Sequence, residues 1–198
     1  MDVRDLVRRS DVGAQGLAPL RGETVGLRAI HETDLPLLVR WMNDPEVRHW
    51  LHHSERPDAT VDAEVRVRFG LEQQGLPNLV WMIETLEGRP VGHVGLLHPP
   101  RGAELAISIG ETDAWSKGYG TDAIRAVLRH AFAELNLHRV YLFTDADNAR
   151  GIRCYEKCGF VREGLMREQR LRYGKPLDMV VMGVLRHEWE RSEVRGQK

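Results

Sequence analysis

The sequence predicts an α+β fold, a single domain in which helices cover both faces of a mostly antiparallel central sheet. Three observations predict it. Short strand-like runs recur at residues 79–86, 91–97, 105–109, 161–170 and 177–185. Turns as short as Glu87-Gly88-Arg89-Pro90 join them, and links of that length suit antiparallel neighbours. One longer unit interrupts the hairpins: a strand ending at Ile109, a helix opening at Thr121 and a strand at residues 140–144, which together make a strand–helix–strand crossover.

In chain order, residues 1–20 carry Gly13, Gly16 and Pro19 without periodicity and read as a loose lead-in. Val25–Ala29 is the first strand. Thr33 offers a helix cap, with Leu35, Leu38 and Met42 at helical spacing after it, and Asn43-Asp44-Pro45 stops that helix. Val61, Val65 and Phe69 predict a second helix ending near Gly75 and Pro77. A Pro99-Pro100-Arg101-Gly102 link then leads to the strand at 105–109. Residues 121–135 form the strongest helix, with Ile124, Val127, Leu128, Ala131 and Leu135 on one face and Asp122, Arg125 and Arg129 off it. Ala149–Lys157 is a helix closed by Gly159. The final hairpin turns at Tyr173-Gly174-Lys175. The domain therefore spans residues 21–188, and residues 189–198 are expected to be a charged, fraying tail.

Composition excludes several classes. A chain of 198 residues with 42% hydrophobic and 29% charged residues suits one soluble core. No apolar run approaches the roughly 18–20 residues of a membrane span, and the N-terminus lacks a secretory pattern. A net charge of -1 gives no field for nucleic acid. Cys154 and Cys158 lack zinc spacing, so two reduced thiols in a cytoplasmic protein and no metal site are expected. Nothing in the sequence sets the oligomeric state, and a homodimer stays open.

Between the strand at 105–109 and the long helix lies W-S-K-G-Y-G-T-D-A (115–123). Gly118 and Gly120 permit positive φ and remove a Cβ that would block a ligand from the backbone. The helix start adds unpaired N–H groups and a positive dipole end, which makes an anion site, with Lys117 beside it. A plain connecting turn fits the spacing equally well. The P-loop pattern is absent. G-Y-G-T-D-A satisfies the dinucleotide fingerprint, but Gly110 to Lys117 intervene where that fingerprint should follow its strand directly.

Downstream stands D-N-A-R-G-I-R-C-Y-E-K-C-G-F (147–160), where Asn148 caps the helix and Ile152 and Tyr155 share a face. Tyr155 is a weak acid suited to protonating a departing thiolate, or else a core tyrosine with its hydroxyl at the rim. Arg150, Arg153 and Lys157 fit a binding face or a solvated one.

The order strand, W-S-K-G-Y-G-T, helix, strand, N-A-R-G-I-R-C-Y-E-K-C-G-F resembles the acetyl-CoA-binding half of the GNAT superfamily of N-acetyltransferases, over about residues 22–188. L-R-A-I-H-E-T-D (27–34) and W-M-N-D-P-E-V (41–47) are similar to the opening of the branch that acetylates ribosomal-protein N-termini, polyamines and some aminoglycosides. The resemblance implies acetyl-CoA as co-substrate and direct transfer to an amine. It places a splayed strand that pairs with the pantetheine arm on Ile107, Ser108 and Ile109. The pyrophosphate loop falls on Lys117, Gly118, Tyr119, Gly120 and Thr121, with Asn148, Arg150 and Lys157 nearby, and the thiolate-protonating residue on Tyr155. One departure is Trp115, where the family usually has Gln or Arg; Lys117 is the expected substitute for that charge. A non-catalytic acyl-CoA-binding module and a dehydrogenase are the competing classes, and Tyr155 argues against the first.

The acceptor side is read more loosely. Some relatives carry a glutamate at the position of Phe143, so Glu104 is the candidate base, with an exposed strand residue as the alternative. His49, His52 and His53 either line the acceptor site or sit in a solvated loop. The expected acceptor is a peptide or protein α-amine in a groove between residues 44–53 and the hairpin near Tyr173. A polyamine is the alternative, with Asp44, Glu46 and Glu55 as its carboxylates.

Overall fold

Along the strand Leu79–Thr85, Val80 and Met82 belong to one buried cluster while Trp81 and Ile83 belong to another. A strand buried on both sides needs cover on both faces of its sheet. In the computed structural model the described residues are 17–51, 78–97 and 102–196. The expected helix around Val61, Val65 and Phe69, the turn residues Gly13, Gly16, Gly75 and Pro77, the Pro99-Pro100-Arg101 link, His52, His53 and Glu55 lie outside them.

The strands are β1 Leu20–Arg21, β2 Val25–Ala29, β3 Leu79–Thr85, β4 Pro90–Leu97, β5 Gly102–Ile109, β6 Arg139–Asp145, β7 Val161–Arg172 and β8 Lys175–Leu185. They form one sheet in the order β1-β2-β3-β4-β5-β6-β8-β7, and only β5 and β6 are parallel neighbours. The helices are α1 Leu35–Asn43, α2 Pro45–Arg48, α3 Tyr119–Arg129, α4 Ala149–Lys157 and α5 Arg186–Gly196. Leu35, Leu38 and Trp41 of α1 pack with Val80 and Met82 on one face. Ile124, Val127 and Leu128 of α3 pack with Trp81, Ile83 and Val94 on the other. The expected α+β fold with helices on both faces is the observed one.

Several boundaries differ from expectation, each for a local reason. Thr33 is not the cap of α1, because it lies inside a single 3-10 turn at Glu32–Asp34. The Asp34 carboxylate takes the N–H of His31 at 2.8 Å and both terminal nitrogens of Arg28 at 2.6 and 2.9 Å. α3 begins before Thr121, since Gly118 turns the chain at φ 89° and the helix starts on Tyr119. Its far end widens into a π turn at His130–Glu134, where Leu135 N–H bonds the carbonyl of His130 at 3.0 Å. The chain is helical beyond the last strand, as α5. The Glu188 carboxylate accepts the N–H of Leu185 at 3.0 Å, Arg186 Nε donates to the carbonyl of Leu137 at 2.7 Å, and Trp189 packs on Phe132 with ring centroids 5.5 Å apart. The end of the lead-in also joins the core: Leu17 and Leu20 pack against it, and Trp81 Nε1 donates to the carbonyl of Ala18 at 3.0 Å.

Asp122, in the first turn of α3, ties that helix to the β1–β2 turn. Its carboxylate accepts the N–H groups of Glu23, Thr24 and Val25 at 3.0, 2.6 and 3.1 Å and the Thr24 hydroxyl at 2.9 Å. A Cβ on Gly22 would lie 2.4 Å from Asp122 Oδ2, so the turn closes only around glycine. Burial pushes the Asp122 carboxyl up, but the hydrogen bonds from Thr24, Glu23 and Val25 together outweigh it and hold it below the usual range. Removing a charged acceptor from several donors costs about 1–3 kcal/mol, so Asp122→Ala is expected to lose about that much at neutral pH in urea unfolding. A depressed carboxyl contributes stability above its unfolded value of about 3.9 and loses it as pH falls through the folded value. The difference between parent and variant should therefore shrink when the unfolding is repeated in acid.

Candidate active site

The β5–β6 ladder consists of Gly102↔Arg139, Ala103↔Val140 and Glu104↔Tyr141. Beyond Glu104, β5 stays paired with β4 as far as Ile109, and β6 stays paired with β8 as far as Asp145. The strands part, and a cavity of about 600 Å³ opens where they diverge. Glu104, Ile107, Ser108 and Ile109 line it from β5, and Phe143 and Thr144 from β6. Ile107–Ile109 thus presents an edge with no β6 ladder, as a splayed strand should.

The loop into α3 closes one end. Ser116 and Gly118 both have positive φ, 63° and 89°. The first intrahelical donor is Asp122 N–H, to the carbonyl of Gly118 at 3.1 Å, so the N–H groups of Tyr119, Gly120 and Thr121 precede the helical ladder. Gly118, Tyr119, Gly120 and Thr121 all line the cavity. A Cβ on Gly120 would sit 3.8 Å from Cys154 Sγ and from Ile109 Cγ1, inside the enclosed space. These residues fit an anionic group at a helix N-terminus. Lys117 does not join them: it is exposed, it is absent from the lining, and its charge acts on Asp113.

The cation at the departure position comes from elsewhere. Arg150 on α4 lies over the ring of Trp115, 3.9 Å from its centroid, and the indole N–H of Trp115 donates to the carbonyl of Ile109 at 2.8 Å. Sequence reasoning missed this pairing because the two residues are far apart in the chain, and neither has a spacing signal toward the other. Arg150 also reaches Trp50, at 5.9 Å, and Arg172 lies 5.4 Å from the same ring.

Asn148 caps α4, accepting the N–H of Gly151 at 3.0 Å and donating to the Thr144 hydroxyl at 3.2 Å. Tyr155 and Lys157 also line the cavity. Burial, reinforced by the charges on Cys154, Cys158 and Asp145, raises the Tyr155 phenol, so it stays protonated. Beside it is a thiol pair. Cys154 Sγ lies 3.3 Å from the Thr121 hydroxyl, and Cys158 Sγ donates to the Thr121 carbonyl at 3.5 Å. Neighbouring Cys158, helped by Thr121, Lys157 and Arg125, outweighs burial and lowers Cys154 to about 7. Both cysteines are free.

At the other end, Val47, Trp50 and Leu51 line the cavity with His93 of β4, which sequence reasoning also missed. The expected groove between residues 44–53 and the hairpin is bridged instead. Arg172 Nη1 lies 3.1 Å from His49 Nε2, Arg170 donates to the carbonyl of Leu51 at 3.1 Å, and the His49 and Tyr173 rings are 6.0 Å apart. No β7 or β8 residue lines the cavity among those described. Asp44 caps α2, accepting the N–H groups of Glu46 and Val47 at 2.9 and 3.2 Å. Among the described residues no cluster of three His, Cys, Asp or Glu side chains is placed for a metal ion, and no helix is long and apolar enough to cross a membrane.

A sheet splayed beside a glycine-rich helix start, with a half-buried tyrosine on the next helix, suits a ligand whose anionic end sits at that helix N-terminus. Residues 24–161 match the family described as acetyltransferase (GNAT) domain, and the chain belongs to that family. It is 32% identical over 177 residues to a spermidine N(1)-acetyltransferase of Vibrio cholerae, covering 84% of this chain and 96% of that protein. It is 23% identical over 192 residues to an aminoglycoside N(6')-acetyltransferase type 1 of Serratia marcescens, covering 83% and 87%. The crystal structure of a Vibrio cholerae spermidine N-acetyltransferase in complex with CoA and spermine superposes with a TM-score of 0.75 at 26% identity, covering 84% of this chain and 98% of that one. The protein is an acetyl-CoA-dependent amine acetyltransferase.

The two loop glycines should respond oppositely to alanine. Gly118 holds a left-handed φ, so Gly118→Ala is expected to lose about 1–2 kcal/mol. Gly120 lies in the helix with ordinary contacts for a Cβ, so Gly120→Ala is expected to gain about 0.5 kcal/mol. Chemical denaturation of the two variants beside the parent checks the contrast.

Proposed function

We propose that this N-acetyltransferase takes a peptide or protein α-amine as acceptor rather than a polycation. One observation carries the reading: among the described lining residues Glu104 is the only carboxylate, whereas Arg150, Arg153 and Lys157 are cations. A polyamine would want several carboxylates. Of those expected to serve it, Asp44 is engaged as a helix cap and Glu46 is exposed and outside the lining. An α-amine titrates near ~7.7–8.0, against ~10.4 for a lysine-type amine, so it is neutral far more often at physiological pH.

In this reading the N–H groups opening α3 bind the pyrophosphate, and the free edge of Ile107–Ile109 orients the pantetheine arm. Glu104 accepts the proton of the attacking amine, directly or through water. Tyr155 donates a hydrogen bond to the leaving sulfur as its charge develops. A phenol held above a thiol in pKa stabilises that charge without being ionised beforehand. A polyamine acceptor remains the second reading, favoured by the likeness to the Vibrio cholerae spermidine acetyltransferase.

Tyr155→Phe is expected to lower kcat by ~10²–10⁴-fold with little change in the KM for acetyl-CoA; equal turnover would reduce Tyr155 to a packing residue. For the acceptor, CoA thiol release should be followed with short peptides bearing free or blocked N-termini and with spermidine. Turnover confined to free N-termini is expected. Strong spermidine turnover with no activity on any free-N-terminus peptide overturns the assignment.

A further inference from the structure

We propose that Cys154 is a modification site through which low-molecular-weight disulfides shut the enzyme down, by forming a mixed disulfide inside the cofactor cavity. The inference rests on the reading of residues 118–121 as the pyrophosphate cradle.

Three features single out this sulfur. Cys154 lines the cavity, whereas Cys158, only 6% exposed, does not. Its Sγ lies against the cradle itself, 3.8 Å from the position of a Cβ on Gly120 and 3.3 Å from the Thr121 hydroxyl. Cys158, Thr121 and the nearby cations lower the Cys154 thiol against its burial, which favours the thiolate that attacks a disulfide. Lys157 and Arg125 add positive charge to the thiolate, and Arg150 and Arg153 on the cavity wall attract an anionic disulfide. Neither cysteine has a part in the acetyl transfer derived above, which leaves this activated thiol without another use.

The exchange balances without a further oxidant. The Cys154 thiolate attacks one sulfur of R–S–S–R, the Cys154–S–S–R bond forms, the original S–S bond breaks, and RS⁻ departs to take a proton from water. Excess thiol reverses the same steps. A substituent the size of glutathione, attached at the cradle, fills the space the cofactor's phosphates need, so modification and acetyl-CoA binding exclude each other.

The test treats the full chain with glutathione disulfide, with and without acetyl-CoA. Intact-mass spectrometry and peptide mapping locate the adduct, CoA-release assays follow activity, and calorimetry measures acetyl-CoA affinity. One adduct on Cys154 is expected, with activity falling in step and returning with dithiothreitol. Acetyl-CoA at about 100 Kd should slow adduct formation by roughly a hundredfold, because it occupies all but a small fraction of the sites. Cys154→Ser should keep its own starting activity through the treatment. The protection measurement needs no variant and stands if the serine protein fails to fold. Inactivation by an adduct elsewhere, an internal Cys154–Cys158 disulfide in place of an adduct, or adduct formation indifferent to acetyl-CoA overturns the inference. Unchanged acetyl-CoA affinity in a folded Gly120→Val protein overturns the cradle reading. Where Gly120→Val abolishes binding but the glutathione adduct leaves affinity intact, the cradle stands and the inference alone falls.

Discussion

The cavity exists because two parallel neighbours are each committed to a different partner. β5 keeps its antiparallel ladder with β4 from Leu97↔Glu104 to Gly92↔Ile109, and β6 keeps its ladder with β8 from Arg139↔Leu185 to Asp145↔Met179. Between β5 and β6 only three pairs form. Strand twist rotates neighbours relative to one another, so two strands each held along their outer sides separate once their shared pairing ends. The crossover helix α3 then starts beside the opening, and its uncommitted N–H groups face the space the strands have left. Lengthening the β5–β6 ladder would satisfy more backbone and close the site.

Charge holds the margins of that opening in place. Arg172, only 8% exposed, donates to Asp145 at 2.6 Å and to Asp147 at 2.8 and 2.9 Å, and its ring neighbours are Trp50 and His49. The Asp147 carboxyl is held below its usual range chiefly by the hydrogen bond from Arg172. One guanidinium thereby links the end of β6, the last hairpin and the segment after α2. A buried charge with several partners is costly to strip of any one of them. From this anchor, Trp50, Arg150 and Trp115 continue as alternating aromatic and cationic groups to the carbonyl of Ile109. The acceptor end and the phosphate end are thus joined along one wall by contacts between residues remote in sequence.

Much of this was legible in the chain, and what was not has a physical explanation. Short apolar runs between turn residues located β3, β4, β6 and the final hairpin, as expected of strands packed into a sheet. The Ala149–Lys157 helix agreed at both ends, since Asn148 and Gly159 punctuate it by side-chain capping and positive φ. α5 was hidden because its residues are largely charged, and among its described side chains Trp189 is the apolar one packed on the core. The start of α3 lies ahead of Thr121 because Gly118 supplies the turn into it. At the site, the loop glycines, the β5 edge and Tyr155 all line the cavity. Arg150 replaced Lys117 as the cation at Trp115. Such a substitution depends on where α4 lies across from the loop, and local spacing carries no trace of it.

The long outer strand has a consequence for the behaviour of the protein in concentrated solution. Among the described residues β7 ends the sheet, and it exposes Val161, Leu165 and Leu171, with Tyr173 in the turn after it, a composition that invites a second sheet to add on. Two irregularities break the template. Glu163 bulges out between Arg162 and Gly164 to pair with Arg139, an ion pair that leaves no room for a side chain on Gly183. Residues 167–169 interrupt the register a second time, where Glu168 adopts φ 50° and its N–H bonds Asp178 at 2.8 Å. Twelve residues of edge are thereby cut into short pieces carrying arginine and glutamate side chains. A strand from another molecule finds no uninterrupted register to copy, and the flank stays sticky to side chains while being closed to polymerisation through its backbone.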